Sequence, residues 1–117
     1  MKPLIAESVY YKLSTLDHPL APYLLENLAS AKVVDDTIFE ESIVTLNSTV
    51  DYIEPGMRPV RIQIVLPDQE DLTKRKVSVL APISIALLGF KEMDEIVIKT
   101  SAGKKKVKIL KVQNYEN

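Results

Sequence analysis

The side chains that could do chemistry here are sixteen carboxylates, fifteen lysines and arginines, and one histidine, His18, with no cysteine. The missing thiols exclude disulfide scaffolds, thiol catalysis and cysteine-held zinc or iron–sulfur centres. A lone histidine excludes a two-histidine metal site and leaves a nucleophile–base triad without support. Three glycines are too few for a Gly-rich phosphate loop. The acids fall in clusters: Asp35-Asp36, Glu40-Glu41, Asp68/Glu70/Asp71 and Asp94-Glu95. None has the fixed oxygen spacing, central glycine and closing glutamate of a calcium loop, and the run from Pro67 to Lys76 turns basic halfway. These clusters read as solvated loops, and no cofactor or metal is expected.

The lysines gather late in the chain. Lys104, Lys106 and Lys108 alternate, so on a strand they share one face. Such a face can contact nucleic acid through phosphates; the same pattern also suits an exposed edge strand guarded against aggregation. No aromatic residue interleaves with these lysines to stack on bases. His18 sits beside Asp17 in Asp17-His18-Pro19-Leu20-Ala21-Pro22, which breaks a helix and reads as a turn. The tyrosines at 10, 11, 23, 52 and 115 read as packing and rim residues.

The elements that must position these residues change type along the chain. Ile5, Val9, Leu13 and Leu16, then Leu24, Leu25 and Leu28, have helical spacing on either side of that turn. A short helix–turn–helix hairpin is expected over about 4–33, each helix roughly 12 residues long. From residue 42 the period becomes two. Val44, Leu46 and Thr49-Val50-Asp51-Tyr52 suggest a strand entered through Asn47-Ser48; further strands are expected over 58–66, 76–79, 94–99 and 104–112, with a Pro-Gly turn at 54–57 and a short helix between Pro82 and Gly89. The fold class is therefore α+β: a short N-terminal antiparallel helical hairpin (1–41), then an antiparallel sheet of about five strands with one short helix (42–117). The net charge of −1 divides along nearly the same line. Residues 1–57 hold three lysines against nine acids, a balance of −6, and residues 58–117 hold twelve basic residues against seven acids, a balance of +5. The N-terminus has no signal-peptide core and no stretch approaches about 20 apolar residues, so a cytoplasmic protein with no membrane partner is expected.

Ala81-Pro82, Ala86-Leu87-Leu88-Gly89 and Asp94-Glu95-Ile96 resemble, in order and spacing, the hallmark of the C-terminal domain of the Gre transcription factors. Ile43-Val44-Thr45-Leu46-Asn47-Ser48-Thr49-Val50 resembles a motif of a narrower branch, the regulator of nucleoside diphosphate kinase (Rnk). The resemblance implies an FKBP-like C-terminal domain that docks on RNA polymerase near its secondary channel, and an N-terminal antiparallel coiled coil that enters the channel. In the cleavage factors of this family the coil is long and carries acidic residues that place a catalytic magnesium ion. Here the helices are short and Asp17 is the one acid at the turn. The resemblance therefore implies a regulator without transcript-cleavage activity, one that competes with other channel-binding factors. Ser84, Phe90, Lys91, Glu92 and Met93 are the implied polymerase contacts, Asp17 and His18 the coil tip, and Lys104, Lys106 and Lys108 possible nucleic-acid contacts. Two alternatives stand beside this. One is a nucleic-acid-binding module using the basic last strand. The other is a peptidyl-prolyl isomerase, for which Tyr52 would be nearly alone as an aromatic pocket wall. No small-molecule substrate is expected.

Overall fold

The computed structural model of the chain describes residues 3–114; Tyr115 lies outside them. Its N-terminal part is a hairpin of two eight-residue helices, α1 (Glu7–Ser14) and α2 (Ala21–Leu28). The hairpin stands on a base of two three-residue strands, β1 (Leu4–Ala6) and β2 (Lys32–Val34), paired in parallel with Leu4 opposite Lys32 and Ala6 opposite Val34. The expected helices were longer because Ile5 fits their spacing, but Ile5 is buried on a strand. The extended backbone of β1 is held elsewhere: the Leu4 N–H donates to the Gly89 carbonyl at 2.9 Å, and the Lys32 N–H to the Pro3 carbonyl at 2.8 Å. The β-branched pair Val33-Val34 favours the strand at the other end.

Ala6 offers no side chain to cap α1. Asp36 does so from a distance: its Oδ1 accepts from the Ser8 N–H at 3.0 Å and its Oδ2 from the Ser8 hydroxyl. That charge-assisted cap holds the Asp36 carboxyl below its ordinary range, the hydroxyl bond being the larger cause.

The rest forms a five-stranded sheet in the order β5-β4-β3-β7-β6. Its strands are β3 (Thr49–Ile53), β4 (Val60–Val65), β5 (Lys76–Ser78), β6 (Glu95–Thr100) and β7 (Gly103–Gln113). A short helix, α3 (Pro82–Leu87), joins β5 to β6. The fold is α+β as expected, but the sheet is mixed: β5 runs parallel to β4, with Gln63 opposite Lys76 and Val65 opposite Ser78. The ten residues between them do not reverse the chain in a tight hairpin. Two 3-10 turns, Pro67–Gln69 and Leu72–Lys74, carry it back along the sheet, the second capped by Asp71 and ended by a left-handed Arg75.

The strand entered through Asn47-Ser48 starts at Thr49, so Val44 and Leu46 lie outside it. Before it, the Val-Thr-Leu-Asn-Ser stretch makes a corner. Asn47 has φ +71, a conformation asparagine tolerates better than most residues. Ser48 is fully buried; its Oγ accepts from the Thr45 N–H at 2.8 Å and donates to the Asn114 side chain. Asn114 Nδ2 reaches the carbonyls of Glu41 at 2.6 Å and Ile43 at 2.8 Å. The motif thus closes the end of β7 onto the entrance of the sheet.

One hydrophobic core serves both parts. Ile5, Leu13, Leu24 and Leu28 pack in the same cluster as Val50, Ile64, Leu87, Val107 and Ile109, so the core crosses the expected boundary at 41/42. Gly89 is the joint. Its φ of +87 is costly for any other residue, and a Cβ there would lie 2.5 Å from Pro3 Cβ and 3.0 Å from the Leu4 backbone.

Candidate functional site

Three places gather the residues singled out in the sequence. The first is the hairpin tip. Thr15 caps the end of α1, and the hydroxyls of Ser14 and Thr15 donate to the carbonyls of Tyr11 and Lys12. The chain then turns through Leu16 to Leu20 into α2, where Pro22 fits the first turn. His18 is tied into this turn: its Nδ1 accepts from the Leu20 N–H at 3.0 Å, and its carbonyl accepts from Ala21 N–H at 3.0 Å. Its role in the turn is that of a local cap. Asp17 is exposed beside it. Helices of eight residues raise this tip only about 12 Å above their start.

The second place is the shoulder after α3. Pro82 at the start of α3 and Gly89 after its end set its length. Phe90 is half-buried against the core, and its carbonyl accepts from the Val44 N–H at 2.8 Å. Glu92 Oε1 accepts from the Val112 N–H at 2.9 Å, and the Lys91 N–H donates to Asp94 at 2.9 Å. Lys91 is exposed, with its Nζ 3.9 Å from Glu40. Met93 stands 60% exposed at φ +75, held there by its N–H on the Ile109 carbonyl at 2.8 Å. A bulky residue in the left-handed region costs about 1–3 kcal/mol, so this loop is over-determined by its neighbours. It presents Lys91 and Met93 outward. Ser84 corrects the sequence reading: it was expected at the surface but is fully buried, and its hydroxyl has no partner among the described residues. Ser84 falls on the core face of a helix of fewer than two turns, with Leu87 one turn further on and also buried.

The third place is the outer face of β7. Lys104 and Lys106 are exposed there and Lys108 half-buried, and Val107 and Ile109 turn into the core between and beyond them. Lys105, on the other face, bonds Glu54 at 2.9 Å. The edge-strand explanation does not hold, because β7 lies between β3 and β6. Across β3, Arg61 grips Asp51 through two bonds of 2.7 and 3.1 Å, which lowers the Asp51 carboxyl below its usual range. Tyr52 is core, 9% exposed, and burial raises its hydroxyl pKa.

The sequence did not reveal a groove of about 730 Å³ between α2 and β6. Leu20, Tyr23 and Asn27 form one wall, and Phe90, Ile96 and Ile98 another. Its only advance sign was the excess of apolar residues on α2. Among the described residues no group of three or more His, Asp or Glu side chains is placed to hold a metal ion, and no helix is long and apolar enough to cross a membrane.

Residues 40–114 match the family described as the transcription elongation factor GreA/GreB C-terminal domain. The chain belongs to the GreA/GreB family. It is 37% identical over 90 residues to transcription elongation factor GreA of Listeria monocytogenes serotype 4b, covering 75% of this chain and 56% of that protein. It is 30% identical over 92 residues to GreB of Neisseria meningitidis serogroup B, covering 78% and 56%. The chain thus spans about half the length of the curated Gre relatives it matches. A GreA/GreB structure from Nitrosomonas europaea superposes with a TM-score of 0.71 at 32% identity, over 97% of this chain and 99% of that one. Gfh1 of Thermus aquaticus shares the fold, with a TM-score of 0.55 at 17% identity over 97% and 99%. The Gre hallmark residues Pro82, Leu87, Leu88 and Gly89 are those that build α3 and its exit, so the motif is first of all a folding device.

Proposed function

We propose that this chain is an RNA polymerase-binding regulator of transcription, of the Rnk type within the Gre family. It docks near the secondary channel and competes there with other channel-binding factors, without cleaving transcripts itself. Membership of the family carries the partner. The observation that carries the finer reading is the hairpin tip: two eight-residue helices end in a turn whose one acid is Asp17 and whose histidine is engaged by the backbone. A long coil with paired acids is what the cleavage reaction of the family calls for, and this tip has neither. Phe90, Lys91, Glu92 and Met93 are the proposed docking residues, with Lys91 and Met93 the outward-facing pair.

The test is a polymerase pull-down joined to a cleavage assay on stalled complexes. The chain is expected to bind core polymerase, to leave the stalled transcript intact, and to slow cleavage by an added Gre factor. Lys91→Glu with Met93→Gly is expected to weaken retention, because both change the outward face of the shoulder. Failure to bind under conditions where a Gre factor binds overturns the proposal, and transcript shortening by the chain alone overturns its non-cleaving part. The accessibility of Lys104 and Lys106 favours a second reading, nucleic-acid binding by the outer face of β7. Retention on DNA that falls steeply with salt is its signature.

A further inference from the structure

The sheet ends at β6, and its free edge opens into the groove just described. Which peptide groups face that edge follows from the ladder. Ile109 donates to the Asp94 carbonyl at 2.9 Å, and β6 pairs with β7 in unbroken register from Glu95–Lys108 to Thr100–Gly103. Antiparallel pairs alternate between bonded and non-bonded, and the pair closing a two-residue hairpin is bonded. Ile96 and Ile98 therefore bond to β7. The N–H and C=O of Glu95 and Val97 point away from it and have no partner among the described residues. No proline interrupts β6, and Val97 at its middle is 56% exposed. Such an edge is a template for one more strand.

We propose that the outer edge of β6 takes up an extended peptide segment in which apolar and acidic residues alternate, adding a sixth strand inside the groove. The backbone edge demands an extended chain. A strand laid about 4.8 Å beyond β6 directs alternate side chains to the two sheet faces. On the core face they continue the row of Ile96 and Ile98 and meet Leu20, Tyr23 and Phe90, which are apolar wall residues of the groove. On the outer face they share the surface that carries Lys104, Lys106 and Lys108; in register, Lys106 stands opposite Val97 and Lys108 opposite Glu95. Lys104 and Lys106 are exposed there without an acidic partner among the described residues. Their charge, one strand removed, favours acids at outer-face positions beside Val97, while Glu95 on β6 itself disfavours an acid at its own position. This mode of recognition takes affinity from main-chain bonds and specificity from alternate side chains. Six residues of β6 span about 20 Å, so a segment of five or six residues fills the edge. The proposal does not depend on polymerase being the partner.

The experiment uses the full chain and a labelled synthetic hexapeptide alternating valine and glutamate, read by fluorescence anisotropy and by amide shifts in nuclear magnetic resonance. Saturable binding is expected, with the largest shifts at Val97 and Ile98. Methylating one alternate amide nitrogen of the peptide is expected to cost about tenfold in affinity, the worth of one main-chain hydrogen bond. Val97→Pro is expected to cost at least as much while keeping the β6–β7 bonds, because the Val97 N–H faces outward. If that variant does not fold, the methylated peptide carries the test unaided. A peptide alternating valine and lysine is expected to bind more weakly than the acidic one. The proposal is overturned by no saturable binding, by equal affinity for the methylated peptide, or by shifts confined to other elements. It is also overturned if sedimentation shows the chain pairing with itself through this edge in place of the peptide.

Discussion

The helical hairpin and the sheet carry similar proportions of apolar residues, yet the sheet supplies most of the one core they share. Val50, Ile64, Val79, Val107 and Ile109 are fully or almost fully buried along alternating positions of neighbouring segments. The hairpin buries Leu13, Leu24 and Leu28 against that core and leaves Tyr11, Leu20, Tyr23, Leu25 and Val33 exposed. Eight-residue helices lie below the roughly 12–15 residues at which isolated helices become even marginally stable. Their order is borrowed from the sheet through one face. The sheet therefore sets the fold, and the hairpin depends on it through the one face it buries.

Two core truncations are expected to have the largest effect. Ile64→Ala and Leu24→Ala each remove a side chain with no exposure, and each is expected to cost about 2–5 kcal/mol. Ile64→Ala is expected to lower hydrogen-exchange protection across the whole chain. Leu24→Ala is expected to lower it in α1, α2 and the β1–β2 base while sparing β3, β4 and β7. Equal loss throughout after Leu24→Ala would mean that the hairpin and sheet form one cooperative unit.

Next in size is Gly89→Ala. It sets a Cβ against Pro3 and Leu4 and keeps a φ of +87. Strain and crowding together cost about 2–4 kcal/mol, read by urea denaturation, with the Leu4 amide losing protection first. Gly56→Ala is its control: φ +75, but nothing within 4 Å of the added carbon. It is expected to cost about 1–2 kcal/mol. If the two substitutions cost the same, close approach of β1 is not what Gly89 serves.

The smallest effect concerns pH. Asp36 is held below its ordinary range chiefly by the Ser8 hydroxyl and then by the Ser8 N–H, and Asp51 chiefly by Arg61. A carboxyl whose folded pKa is depressed stabilises fully above its unfolded pKa, and the contribution disappears as pH falls through the lower folded value. Both ties therefore weaken on acidification below about pH 4. Asp36→Asn is expected to remove the part of that acid loss that fraying of α1 reports, monitored by helical circular dichroism. Asp51→Asn is expected to leave it in place. An unchanged acid profile in Asp36→Asn would show that the α1 cap does not depend on the charge.

Much of the sheet was legible because period two and turn chemistry are local signals. Val60, Ile62 and Ile64 alternate, Glu54-Pro55-Gly56-Met57 closes with the Met57 N–H on the Glu54 carbonyl at 3.0 Å, and Pro82 and Gly89 bracket α3. Of the candidate residues, Asp17 and His18 lie in a turn, as their neighbouring prolines require. Ser84 was misplaced, because a helix of six residues offers too few positions to tell its faces apart. The parallel β4–β5 pair and the β1–β2 base were hidden because their partners are distant in sequence or carried by three residues only.

The amino-acid sequence by itself determined the α+β class, the family, the break in the hairpin at residues 17–22 and the opposite charge of the two halves. Each is a property of local pattern or of counting. Tertiary structure alone decided that Gly89 joins the two parts, that Asp36 caps a helix 28 residues before it, and that the apolar wall of α2 faces the free edge of β6. These depend on which surfaces meet once the chain closes, and side-chain burial against a partner segment is not written in the order of residues along either one.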